Sequence, residues 1–381
     1  MTGAVLLGLA VFCSTMGVGA FGPLLPEVAR VSGLADWQLG VVAGSFGFAR
    51  MIAAMPAGAL ASRRLASALT AAPLVLVVGM VLLASAGSFA ALVLGRFCMG
   101  LAHTLGMVGA LTAVLQDEDR ASASLRLNTL EFSGMLGILG GLVVLGVVPA
   151  FWDWRLSFLV AGSPVVVGLL LVPVLRRRFA DAGPAAAPAA PRERAGPGMP
   201  LRATPRVVWM MFGLGIVSAL AWSSVSQFLL PVRGTRVFGL DRAGISRLLA
   251  ISQVVDLLVL LPVGRLADRV GRGPVLIVVA AFLGLGTLAV GAGSYPWVVA
   301  GCVGFGLGLA GWMLPLGVVR EHTPPARLGW WTGFYRLCID GAIFVGPVVS
   351  GALGERGAGV FVSGVGLLAL TLAAGLALRR R

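Results

Sequence analysis

The sequence predicts an all-α membrane protein, with twelve transmembrane helices arranged as two six-helix bundles related by a pseudo-two-fold axis. Three observations carry this expectation. Of 381 residues, 58% are hydrophobic and 12% charged, with a mean hydropathy of +0.97. A water-soluble domain carries about twice that charge. The charges cluster, leaving apolar runs of about 20 residues, the length that crosses a bilayer as a helix. Finally, the Arg-rich stretch Gly264-Arg265-Leu266-Ala267-Asp268-Arg269-Val270-Gly271-Arg272-Gly273-Pro274-Val275-Leu276 has a weaker copy, Gly58-Ala59-Leu60-Ala61-Ser62-Arg63-Arg64, about 206 residues earlier.

The twelve helices are expected at roughly 3–27, 38–60, 68–87, 89–115, 126–149, 155–175, 206–231, 244–264, 274–293, 295–319, 329–352 and 357–378. Pro23 and Pro26 are expected to close the first. Trp37, Trp152, Trp154, Trp297, Trp330 and Trp331 fall at helix ends, where an amphipathic ring suits the membrane interface. Arg176-Arg177-Arg178 stops the sixth helix, and the Pro/Ala/Gly/Arg stretch from Gly183 to Pro200 cannot build a core. The chain therefore divides into an N-terminal bundle (1–175), a cytoplasmic linker (176–205) and a C-terminal bundle (206–381). The halves align at an offset of about 205–206, Pro26 with Pro231, Leu34 with Leu240, Gly58 with Gly264, and Gly100-Leu101 with Gly306-Leu307.

The net charge of +14 invites a nucleic-acid reading, and its distribution argues against one. Every basic residue is Arg, and about 19 of the 29 lie in alternate loops and the C-terminal tail, against about six in the other loops. That asymmetry is the positive-inside bias and places both termini in the cytoplasm. Cys13, Cys98, Cys302 and Cys338 sit in apolar runs and read as small buried hydrophobes. The first apolar run lacks a basic n-region and is too long for a signal h-region, so it is expected to be retained. No phosphate loop, metal cluster or nucleophile triad is present, so no enzymatic role and no cofactor beyond a proton gradient is expected. The Lys-free, Ala/Gly/Arg-rich composition fits a GC-rich bacterial genome, hence a bacterial cytoplasmic (inner) membrane.

The Gly264–Leu276 hairpin, its copy, the linker and the helix count together resemble the major facilitator superfamily of secondary transporters. In that superfamily the acid of this loop sits against the start of a helix in the opposite half, where the helix dipole favours negative charge. The resemblance therefore implies a gate in which Gly264 allows a close helix end, Gly271 and Gly273 make the turn, and Asp268, flanked by Arg269, faces the start of the fifth helix near Arg126. In the first copy Ser62 stands where the acid belongs. Arg96-Phe97-Cys98-Met99-Gly100 resembles the superfamily's Arg-x-x-x-Gly element, associated with proton-coupled members. Gly346-Pro347-x-x-x-Gly351 loosely resembles the Gly-Pro element of the twelve-helix drug/proton antiporters, which belongs in the fifth helix; here that helix has Gly140-Gly141 and no Pro.

Charged residues inside the apolar runs are the candidate site, because each is costly in hydrocarbon without a partner or a wet cavity. Arg96 lies near mid-bilayer. Glu131 and His103 fall at similar depth on the fifth and fourth helices and could share a proton. Arg336 and Asp340 are four apart on one helix face, within reach of Asp256. Arg50 is placed to bind a substrate anion or to pair with Glu131. Gln227, Gln253 and Trp222 are candidates for lining the cleft, and Glu27 and Arg30 end the first helix on the outside. The glycines from Gly134 to Gly141 and from Gly341 to Gly351 permit close helix contact.

The expected function is alternating-access export of small organic, often amphipathic, compounds, driven by protons through Glu131, Asp256, Asp340 and His103. The alternative is an importer or facilitator of a small organic anion clamped by Arg50, Arg96 and Arg336; a lipid or lysolipid transporter is a further one. Expected partners are a small-molecule substrate and membrane lipid, without nucleic acid, the protein acting as a monomer.

Overall fold

A computed structural model describes the backbone of residues 3–116, 123–179 and 205–378, without the side chains of 115, 116, 123–128, 292, 325, 326, 328 and 329. Most of the expected linker, residues 180–204, and the Arg379–Arg381 tail lie outside the described residues. In hydrocarbon every backbone polar group must be satisfied within the chain, so apolar runs of this length have helices as their solution. Among the described residues the chain is helical and has no strand.

The helices are α1 (Gly3–Ser32), α2 (Asp36–Arg63), α3 (Leu65–Ala84), α4 (Phe89–Gln116), α5 (Ala123–Val147), α6 (Trp154–Phe179), α7 (Arg206–Arg236), α8 (Arg242–Val270), α9 (Arg272–Ala292) and α10 (Tyr295–Glu321). The last helical stretch, Pro325–Leu378, turns at Gly354, whose φ of 67° is left-handed, and so splits into α11 (325–353) and α12 (355–378). Twelve segments long and apolar enough to span a bilayer result among the described residues. The start of α1 and the end of α12 therefore share one face of the molecule, called here the terminal face.

Two expected boundaries are corrected. Pro23 and Pro26 lie inside α1, which continues to Ser32. Stopping the helix there would strand several backbone groups in an apolar setting, a larger cost than the single hydrogen bond each Pro removes. Likewise α8 runs through Gly264 to Val270, and Gly271 alone (φ 91°) makes the turn before α9 begins at Arg272. The signature stretch is thus a helix end plus a one-residue turn, and Gly273 belongs to α9. Asp241 starts α8 by accepting from the Gly244 amide at 2.8 Å.

Close packing follows the glycines. A Cβ on Gly137 or Gly141 of α5 would collide with α1 at the Phe12 and Met16 carbonyls. A Cβ on Gly100 of α4 would collide with the Phe46 carbonyl of α2, and one on Gly306 of α10 with the Ser252 carbonyl of α8. Both partners of this contact recur 206 residues apart, so the repeat read from the sequence is also a repeat of packing. The halves meet along α2 and α11, α5 and α8, and α1 and α7.

Candidate functional site

At mid-depth between the halves, α2, α4, α5, α8 and α11 gather the intramembrane charges. Arg50 of α2 crosses to α11, its Nη2 2.6 Å from Oδ1 of Asp340, which is 2% exposed. The two approach as an ion pair without an aligned hydrogen bond at that oxygen. One turn earlier on α11, the Arg336 Nε stands 3.5 Å from the other oxygen of Asp340. A single carboxylate thus lies between two guanidinium groups. Arg50 therefore pairs with Asp340 and not with Glu131, because α2 faces α11 directly while Glu131 lies within electrostatic reach only.

Asp256 of α8 does not join Arg336 and Asp340. It is 3% exposed, its Oδ1 has no hydrogen-bond partner, and the charge acting on it is Glu131, half-buried on α5 across the interface. His103 on α4 does not hydrogen-bond to Glu131. Its ring lies 5.5 Å from that of Phe46, its Nδ1 is buried without a partner, and Arg50 and Arg336 are the charges that act on it. Gln253 is half-buried one turn before Asp256. Trp222 is half-buried and packs between two apolar clusters of the core.

Arg96 is completely buried. Its guanidinium lies 4.0 Å from the Phe21 ring centre and 4.9 Å from that of Phe46, and its Nη2 donates to Gln227 Oε1 at 3.1 Å. Its Nε and Nη1 have no hydrogen-bond partner. Aromatic faces and an amide thus supply the partner that a charge at this depth requires. Gln227 sits in one turn of π-helix, Val225–Leu229, within α7. Phe21 and Gln227 are 206 residues apart, equivalent positions of the two halves, so Arg96 lies where the repeat axis runs.

The face opposite the termini is closed. Arg242, the first residue of α8 and 4% exposed, holds Glu27 at the end of α1 through Nε (2.7 Å) and Nη2. It also donates to the Trp152 carbonyl at 3.0 Å and to Ser157 Oγ. Asp36, the first residue of α2, accepts two hydrogen bonds from Arg236 at the end of α7, at 2.8 and 2.6 Å. Asp36 and Arg242 are again 206 apart, so equivalent positions of opposite charge each bridge to the other half, although their partners, Arg236 and Glu27, are offset by 209 and not by 206. Between the bridges a Cβ on Gly40, Gly44 or Gly47 of α2 would run into the α11 backbone, at 2.7 Å from the Phe344 carbonyl for Gly44 and 2.5 Å from the Phe344 amide for Gly47. A cavity of about 860 Å³ on this face is lined by Glu27, Arg30, Trp152, Arg236, Asp241 and Arg242, among others.

At the terminal face the arrangement is the reverse. A Cβ on Gly58, Gly264 or Gly333 would meet nothing within 4 Å. Asp268 and Arg269 are exposed, and neither makes an ion pair among the described residues. The expected contact of Asp268 with the start of α5 is not formed at the described residues there; the Arg126 side chain lies outside them. The closed-face bridges and the α2 glycines were not among the sequence candidates. The offset of 206, applied to charged residues, would have pointed to Asp36 and Arg242.

Two bundles bridged on one face, with charges from both halves gathered at mid-depth, fit a secondary transporter fold. Sequence comparison agrees: the family model of the Major Facilitator Superfamily matches residues 7–244 and 211–381. The chain belongs to the Major Facilitator Superfamily and is an integral membrane protein. Solved structures similar to it include a mutant of the nucleoside transporter NupG (TM-score 0.79, 14% identity, covering 98% of this chain and 99% of that one). A mutant of the peptide transporter POT is also similar (TM-score 0.77, 14% identity, 98% and 93% covered). So is a bacterial homologue of the human lysosomal transporter Spinster, in an inward-facing and occupied conformation (TM-score 0.73, 14% identity, 98% and 95% covered). At these identities the likeness is one of fold. No curated protein matches the sequence.

Proposed function

We propose that this transporter exports small organic, amphipathic compounds from a bacterial cytoplasm in exchange for protons, with the terminal face and both termini cytoplasmic. The observation that supports this reading most is the mid-depth cluster of Arg50, His103, Glu131, Asp256, Arg336 and Asp340, drawn from both halves. Charges placed there bind a polar group of the substrate, and their protonation answers to whichever face is open.

In this reading the structure is the inward-open state. Substrate enters from the cytoplasm, the halves rock about the mid-depth contacts, and the bridges of Arg242 and Asp36 break to release it outside. A proton taken up from outside resets the carrier. No resident cofactor takes part, and the protein acts as a monomer. A second reading, uptake of a small organic anion, is favoured by the three guanidinium groups of Arg50, Arg96 and Arg336.

Vesicle flux separates the readings. Purified protein in liposomes with an imposed pH gradient is expected to move a dye-like amphipathic substrate against the proton flow, and Asp340→Asn is expected to lower the rate at least tenfold by releasing Arg50 and Arg336. Flux of an organic anion in the direction of the protons, with no movement of amphipaths, would replace export by uptake.

A further inference from the structure

We propose that the cavity on the closed face binds a small zwitterion, with an anionic group (carboxylate or phosphate) at Arg30 and an ammonium at Asp241, and that the bound molecule holds this face shut. The site lies away from the termini, and its occupancy does not depend on which way solute moves.

The cavity has the size and the place for such a ligand. Its volume of about 860 Å³ falls within the range of small-molecule sites, about 300–1,000 Å³. It also lies on the repeat axis. Residues 206 apart line it in pairs, Arg30 with Arg236, Leu34 with Leu240, and Leu39 with Ile245. An occupant therefore touches both halves at once.

The repeat also shows which charges are left over. Arg236 donates two hydrogen bonds to Asp36. Arg30 is the counterpart of Arg236, but the position equivalent to Asp36 is 242, where an Arg stands. Arg30 thus has no acid to meet, and it makes no ion pair among the described residues. Arg242 itself is engaged with Glu27, Ser157 and the Trp152 carbonyl. On the second half Asp241 caps α8 by accepting from the Gly244 amide, and neither of its oxygens meets a cation among the described residues. The remaining acid of the lining, Asp153, stands 3.6 Å from Arg155.

One cation of the first half and one acid of the second therefore line a common space without a counter-charge from the chain, and they do not meet each other. The guanidinium fork of Arg30 matches a carboxylate or a phosphate, and the carboxylate of Asp241 accepts from an ammonium. A molecule carrying both charges completes a third bridge between the halves, beside those of Arg242 with Glu27 and Arg236 with Asp36. Leu34, Leu39 and Leu240 give its body an apolar wall. A compound with one charge satisfies one half only and leaves the other unheld. Because the lining comes from both halves, it is complete only while this face is closed, and a ligand of that state draws the population toward it.

Spin labels at Gly87→Cys, between α3 and α4, and Val237→Cys, after α7, are exposed on the closed face and stand outside the cavity lining. A Cβ at Gly87 meets nothing within 4 Å. The background replaces the four native cysteines. In nanodiscs of anionic lipid alone, ω-amino acids from γ-aminobutyrate to ε-aminocaproate are added, and the best of them is expected to lower the long-distance population. Caproate or hexylamine is expected to leave it nearly unchanged. Arg30→Gln, or Asp241→Asn, which keeps a good cap for α8, should raise the half-maximal concentration about fivefold, the upper range for an exposed ion pair. Both together should abolish the response. A response that disappears when phosphatidylethanolamine is included supports the site and assigns its occupant to a lipid headgroup; one that stays assigns a soluble zwitterion. An unchanged response in both single variants overturns the proposal. Caproate acting as well as ε-aminocaproate also overturns it, because Arg30 alone would then be the site. So does the absence of any response across the series.

Discussion

Each face of this transporter is built from a pair of equivalent stretches of a duplicated chain, and the two faces use charge in opposite ways. On the face away from the termini, side chains of opposite charge at the matched positions 36 and 242 bridge the halves, Arg242 to Glu27 and Asp36 to Arg236. On the terminal face, in the repeated Arg-rich helix ends, a Cβ on Gly58 or Gly264 would meet nothing within 4 Å among the described residues. Duplication alone would have made the two halves alike on each face. Exchanging the sign of one partner, acid at 36 and base at 242, converts a potential repulsion at the repeat axis into two attractive contacts. The same exchange relates Arg50 to Asp256, also 206 apart, yet there the partners go to different places, Arg50 to Asp340 and Asp256 toward Glu131.

The comparison breaks most severely at Arg242. Arg242 is 2% exposed at its side chain and also holds Ser157 and the Trp152 carbonyl, while the Glu27 it would leave is 25% exposed, so its loss costs at most about 3 kcal/mol, the low end for a buried pair. Arg242→Ala is expected to shift the carrier toward a conformation open on the closed face, seen as a longer distance between spin labels at Val31 and Val237, which are exposed there. An unchanged distance would mean that the glycine contacts alone keep this face shut.

A smaller effect is expected from Gly44→Val. Its Cβ would lie 2.7 Å from the Phe344 carbonyl, an overpacking of about 1–3 kcal/mol. The same label pair should separate, with both bundles still folded by thermal melting. The smallest effect belongs to Asp36→Asn. Arg236 is 46% exposed at its side chain and Asp36 25%, and partly exposed pairs of this kind contribute about 0.2–1 kcal/mol. The change should nearly vanish at molar salt, whereas that of Arg242→Ala should persist.

Much of the fold was legible because a bilayer leaves few alternatives. Apolar length gave the helices, and Gly100 and Gly306 fell at matching contacts as the repeat required. The helix ends were less legible. Pro26 ends helices in water, but α1 passes through it, and the signature hairpin proved to be mostly helix. The charges expected at mid-depth are brought together, since a charge inside an apolar run has few places to go. Their pairing was misread where it depends on which helices of opposite halves face each other. Arg50 was expected to bind a substrate anion or to pair with Glu131, and it meets Asp340; Asp256 was expected within reach of the α11 charges, and it makes no ion pair with them. Helical periodicity fixes the side a residue occupies, and contains no information about the helix opposite. The glycine spacing Gly40-x-x-x-Gly44-x-x-Gly47 on α2 was available in the sequence and would have named α2 as a close-contact helix, though not α11 as its partner.

Gly40, Gly44 and Gly47 set main chain directly upon main chain, with no side chains of α2 wedged into the seam at those points. Such a seam can roll or slide with few rotamers to reset and little interlocking to undo. The speed of the conformational cycle would then be governed by how fast the guanidinium bridges rehydrate, so ionic strength and bound anions become natural controls on turnover.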